Sequence, residues 1–152
     1  MIKRITLTIS LFILFFLLTV PAFAKEGLVK FKSNIPGKKT ISVLLEIAIT
    51  EEEKAKGLMN RSHLAPNRGM VFIFRPAKQV TFWMKDTLIS LDMIFINKGK
   101  IVNIVKNAEP NQTQIVYPSV FDTSEVVEVN GGFSDKYMIE IGNEVVFKNT
   151  PK

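Results

Sequence analysis

The chain has 152 residues, 47% of them hydrophobic and 22% charged, with a formal net charge of +6 and no cysteine. The missing thiols exclude thiol catalysis, iron–sulfur clusters, cysteine-ligated zinc and disulfide stapling, so the fold must rest on burial alone. The charge is mild and no dense basic run carries it, so it suits solubility or contact with anionic polymers and headgroups rather than nucleic acid.

The chain opens with Lys3 and Arg4, runs almost entirely apolar from Ile5 to Val20, and then reads Pro21-Ala22-Phe23-Ala24. That is the three-part pattern of a secretory signal peptide. A spanning helix usually needs about 20 apolar residues. Residues 1–24 are therefore expected to be a cleaved signal, with an uncleaved membrane anchor as the alternative. No cysteine follows the run, which excludes N-terminal lipid attachment through one. The expected order is signal peptide 1–24, N-terminal extension 25–39, one β-rich domain 40–148 and a tail 149–152. The exported chain, periplasmic or extracellular, would carry +4, because Lys3 and Arg4 leave with the signal.

"LVKFKS" reads as a short strand, and Pro36-Gly37 as a turn. From Thr40 to Ile49 the chain is β-rich, with Ile41, Val43, Leu45 and Ile47 on one face. Thr50 followed by Glu53 is a capping box that opens a short helix, and Gly57 is placed to end it. "MVFIF" (Met70–Phe74) predicts a strand apolar on both faces, ended by Arg75-Pro76. "VTFWM" predicts another, and "DMIFI-NKGK-IVNIVK" a hairpin around Gly99. A long polar connection leads to "EVVEV" (Glu125–Val129). One helical turn is expected near Ser134, and a last strand after Gly142-Asn143. Seven to nine strands with one or two short helices predict a mainly β antiparallel domain, a sandwich or barrel. Strands apolar on both faces require either cover on both sides or a surface kept for a partner.

Few residues carry obvious chemistry. His63 is the only histidine. No G-x-S-x-G elbow accompanies it and no Asp/Asn-rich calcium loop is visible, so neither a metal nor a cofactor is implied. The two N-x-Ser/Thr matches, at Asn60 and Asn111, read as chance. Asp86 and Asp92 could pair for carboxylate-based hydrolysis if Thr87–Leu91 turns back, aided by Lys85, Arg61 or Glu53. In "VTFWMKDTLISLD" strand alternation sends Phe82 and Met84 one way and Thr81, Trp83 and Lys85 the other. An indole beside a cation and a carboxylate suits a sugar or amphiphile site; the bland alternative is core filling with a Lys85–Asp86 ion pair at the rim.

"TEEEKAKGLMNR", "GMVFIF", "FWMKDTLISLDMIFI", "EVVEVNGG" and "IGNEV" together resemble domain-of-unknown-function family 192, over about residues 40–147. The resemblance implies a small exported envelope protein with a β-rich, sandwich-like or barrel-like fold, and no agreed activity or cofactor. The chain departs from the family pattern at Asp86, where asparagine is usual, at Ser90 for proline, at Asn143 for aspartate, and in its lack of cysteines. The leading expectation is a non-catalytic envelope binding module for a glycan, a lipid-like molecule or a protein, using Trp83, Lys85, Asp86, Thr87, Arg61 and Asp92. A hydrolase built on Asp86 and Asp92, or a purely structural role, are the alternatives. No nucleic-acid partner is expected, and membrane contact only through an uncleaved signal.

Overall fold

In Met70–Phe74, successive apolar side chains must leave the backbone on opposite sides, so this strand needs a hydrophobic partner on each face. The computed structural model, which describes residues 26–151, supplies both. Nine strands are present among the described residues: β1 (Glu26–Lys32), β2 (Ile41–Ala48), β3 (Arg68–Lys78), β4 (Thr81–Phe82), β5 (Leu91–Asn97), β6 (Lys100–Ala108), β7 (Tyr117–Pro118), β8 (Thr123–Asn130) and β9 (Glu144–Lys148). Two short helices join them, α1 (Glu51–Lys56) and α2 (Phe133–Tyr137). Seven strands close into a barrel in the order β1-β2-β3-β8-β5-β6-β9, and β4 pairs with β7 as a separate ribbon. The fold is thus the mainly β, barrel-like domain that the turn spacing predicts.

Two hydrophobic cores share the walls. Val71, Ile73, Val127, Val129, Ile94 and Ile96 point into the barrel and fill it with Phe31, Leu45 and Phe133. Met70, Phe72, Phe74, Val126, Met93 and Phe95 point outward into a second core, covered by Leu58, Leu64, Met84 and Phe82. Strands β3, β8 and β5 are neighbours, which is why all three read as apolar on both faces. At one barrel end Phe133 of α2 packs on Phe31, ring centroids 6.0 Å apart.

Local signals act where they were expected. Thr50 Oγ1 accepts from Glu53 N–H while Glu53 Oε2 accepts from Thr50 N–H, and Gly57 caps α1 at φ 48°. Lys98 and Gly99, at φ 49° and 71°, form the two-residue β5–β6 turn, whose positive φ angles suit the strand twist.

Three features differ from the sequence reading. The segment expected as an N-terminal extension holds β1, a full barrel member paired with β2 and β9. Arg75-Pro76 does not end β3, which continues to Lys78 across a register irregularity, the position where a ladder tolerates proline. One pair, β2–β3, is parallel, because α1 and its exit loop carry the chain back to the starting end. The expected signal segment lies outside the described residues. No helix among those described is long and apolar enough to cross a membrane.

Candidate functional site

The segment at and after β4 is fixed by two anchors, Phe82, partly buried, and Met84. Phe82 sits edge-on to three rings of the outer core: Phe72 at 5.0 Å, Phe95 at 5.9 Å and Phe74 at 6.4 Å. Met84 is fully buried, and Thr87 N–H closes a turn onto Met84 C=O at 3.2 Å. Trp83, between two anchors on the opposite face, is driven outward and is 50% exposed. The alternation read from the sequence therefore holds in space, although only Thr81–Phe82 is paired as strand.

Between this segment and α1 lies a cavity of about 380 Å3. Its floor is the outer wall of the barrel, with Phe72 and Phe74 from β3 and Glu128 from β8. Leu58 and Met59 close one side, Val80, Phe82 and Trp83 the other, and Glu51, Lys54, Lys56 and Lys78 bring charge to it. Lys54 is tied to Glu51 at 2.6 Å and stands 4.9 Å over the Phe74 ring, while Lys78 lies 5.9 Å from the same ring.

Glu128 is the unusual member. It is 4% exposed, and its cross-strand neighbours are Met70 on β3 and Met93 on β5. Among the described residues no side chain or backbone group hydrogen-bonds or pairs with its carboxyl. Burial alone pushes that carboxyl up from 4.5 to about 8, so at neutral pH it is mostly the protonated acid, a hydrogen-bond donor facing a cavity. A strongly displaced acid with no structural partner, set in a cleft, is the physical mark of a functional position.

The residues singled out from the sequence do not converge on one place. Trp83 and Thr87 line the cavity. Thr87 is buried, with its hydroxyl donating to Lys85 C=O at 3.2 Å. Lys85 is exposed and stands 5.7 Å over the Trp83 ring, so among the described residues it forms a cation–π contact and not the ion pair with Asp86 that the bland alternative supposed. Arg61 is engaged with both oxygens of Glu46 on β2, at 2.5 and 2.7 Å, and this guanidinium holds the Glu46 carboxyl below its usual range.

Asp86 and Asp92 occupy different settings. Asp92 is fully buried, and its oxygens accept from the N–H groups of Asn107 at 2.8 Å, Gly132 at 3.0 Å and Ser134 at 2.7 Å. It fastens the ends of β6 and β8 to α2, with no open face for a substrate. Asp86 is exposed at φ 53°, and its C=O accepts from Asn60 N–H at 2.7 Å. That left-handed backbone explains the usual asparagine, the non-glycine residue that adopts it most readily, and aspartate tolerates it too. Asn143 is equally local, its side-chain oxygen accepting from Glu140 N–H at 3.0 Å as a carboxylate would. His63 is exposed on the loop after α1.

Glu128 itself escaped the sequence reading. The available signal was an acid in "EVVEV" whose same-face neighbour, Val126, is apolar.

Two solved structures share this architecture. A protein of Sinorhizobium meliloti, described provisionally as a transcription regulator, is 28% identical with a TM-score of 0.76, over 82% of this chain and 95% of its own. A protein of unknown function from Novosphingobium aromaticivorans is 34% identical with a TM-score of 0.73, over 78% of this chain and 83% of its own. No curated protein matches the chain. The sequence profile of DUF192, described as "Uncharacterized ACR", matches residues 32–147, and the chain belongs to that family.

Proposed function

We propose that the protein is an exported, non-catalytic binding module that holds a small amphiphilic ligand in the cavity between α1 and the Trp83 segment. The observation that carries this reading is Glu128, whose carboxyl has no hydrogen-bond partner among the described residues and which lines the cavity together with Phe72, Phe82 and Trp83. The carboxyl oxygens are open to the cavity rather than sealed from it, so a ligand can reach them and supply the hydrogen-bond partner that the described residues do not. Of the three ligand classes expected, the lipid-like one fits the lining best. The rings of Phe72, Phe74, Phe82 and Trp83 offer an apolar side and Glu51, Lys54, Lys56, Lys78 and Gln79 a polar one, which suits a lipid-like molecule with a polar end. Export is supported by the basic start and the apolar run Ile5–Val20.

Trp83 is the only tryptophan, so tryptophan emission, excited selectively over the two tyrosines, reports on the cavity wall. Titration with a neutral apolar probe, naphthalene, is expected to shift Trp83 emission saturably with one-to-one stoichiometry. Ala55→Phe, which narrows the cavity from the exposed side of α1, is expected to weaken that response while circular dichroism stays native. A linear, unsaturable response, unchanged in Ala55→Phe, would refute a binding cavity.

A further inference from the structure

The charges at the cavity go further than its walls. Four charged side chains other than Glu128 line it, Glu51, Lys54, Lys56 and Lys78, and Lys54 is neutralised by Glu51. Neither Lys56 nor Lys78 forms a close ion pair among the described residues; Lys56 feels Glu46 and Lys78 feels Glu51 only through space, so both ammonium groups can still engage an incoming anion at the cavity. Phe74 already carries the ammonium groups of Lys54 and Lys78 against its ring, which disfavours a third cation there.

We propose that the cavity selects an anionic amphiphile: an apolar body against Phe72, Phe82 and Trp83, an internal carbonyl accepting from the Glu128 carboxyl, and an anionic head held by Lys56 and Lys78. This rests on the cavity being a binding site, and it assigns the chemical class of the ligand. The lipid-like ligand then has a definite polarity, tail to the rings and head to the lysines. Glu128 acts as a donor, which requires its proton. Among the described residues the other titratable groups facing the cavity are Glu51, Lys54 and Lys56 on α1 and Lys78 on β3, and the cross-strand neighbours of Glu128, Met70 and Met93, do not titrate. Loss of affinity as pH rises through the value of about 8 for Glu128 therefore reads that group.

Three probes of equal chain length separate the possibilities by Trp83 emission: N-octanoylglycine, octylammonium and 1-octanol, at about pH 6.5 and about pH 9.5. The expected result is that N-octanoylglycine binds about tenfold tighter than either other probe at the lower pH and weakens about fivefold at the higher. Glu128→Gln keeps a donor at every pH, so it should bind N-octanoylglycine with no pH dependence. Lys78→Ala, and Lys56→Ala independently, should weaken N-octanoylglycine about fivefold and leave 1-octanol unchanged. Tighter binding of octylammonium, rising with pH and lost in Glu128→Gln, would overturn the proposal in favour of a cation receptor. Equal binding of all three would overturn head selection; both outcomes leave the cavity a binding site. No response to any probe overturns the proposal, and if naphthalene is also without saturable effect the binding reading falls with it.

Discussion

Two carboxylic acids are buried among the described residues, and they are treated in opposite ways. Asp92, between the barrel and α2, receives three backbone N–H groups. Glu128, on the outer face of the neighbouring strand β8, receives none and is flanked by two methionines. Asp92 substitutes for a missing piece of backbone ladder: it satisfies donors that the turn into α2 leaves without carbonyl partners. Glu128 satisfies nothing in the protein and costs stability whenever it ionises. A buried charge-capable group retained without a structural task is the better pointer to function, and burial alone does not distinguish the two.

The comparison makes its largest prediction through pH. Glu128 has its carboxyl raised by burial from 4.5 to about 8. The folded state therefore holds this proton more tightly than the unfolded state. The stability associated with it is fully present below about pH 4.5, declines as pH rises, and is lost above about pH 8, by on the order of 4–5 kcal/mol. Urea denaturation across this range should show that decline in the native chain. Glu128→Gln should flatten it and be the more stable protein at about pH 9. A native chain with no loss of stability between these limits would mean that water reaches the carboxyl and that the contrast with Asp92 is false.

Asp92→Ala tests the other side. It strands three N–H groups, of which that of Ser134 is buried and those of Asn107 and Gly132 are partly accessible, and about 2–3 kcal/mol of destabilisation is expected by denaturant titration. Asp92→Asn keeps an acceptor and should lose less. Neither should change ligand response at Trp83 once the protein is folded, because Asp92 does not line the cavity.

How legible this was depended on the range of the interaction. The Thr50–Glu53 capping box, the Gly57 stop, the Lys98-Gly99 turn and the alternation around Trp83 are written within a few residues, and each reads directly. The role of Asp92 is not: its donors come from 15, 40 and 42 residues away, so its place in the aromatic motif suggested a site when it is a clasp. Glu128 is harder still. On an edge or a one-sided sheet the same glutamate would face water. Only the placement of β8 between β3 and β5, under the cover of α1 and the Trp83 segment, turns it into a buried acid. The tryptophan drew attention through its rarity, and the glutamate beneath it was masked by its commonness.

Trp83 also separates packing from function at the cavity. A buried tryptophan replaced by alanine costs about 3–5 kcal/mol. Because Trp83 is half exposed, Trp83→Ala should cost only about 1–2 kcal/mol in thermal or urea unfolding, while abolishing most ligand affinity measured calorimetrically. A loss as large as that of a core residue would make the indole part of the outer core and return the segment to a structural role.

The smallest expected effect concerns Asp86, the departure from the family pattern that stood closest to a presumed site. Its backbone sits at φ 53°, and its C=O accepts from Asn60 N–H. The side chain is exposed and does not line the cavity. Restoring asparagine should therefore stabilise the turn by no more than about 0.5 kcal/mol, through the easier left-handed conformation, and leave affinity unchanged. Asp86→Ala should cost about 1 kcal/mol, since alanine pays the full steric penalty of positive φ. Affinity that moves with Asp86→Asn would place the amide in contact with ligand and extend the site from the cavity onto the turn. With affinity unmoved, the usual asparagine is a backbone choice, and the selection of ligand is left to Glu128 and the lysines.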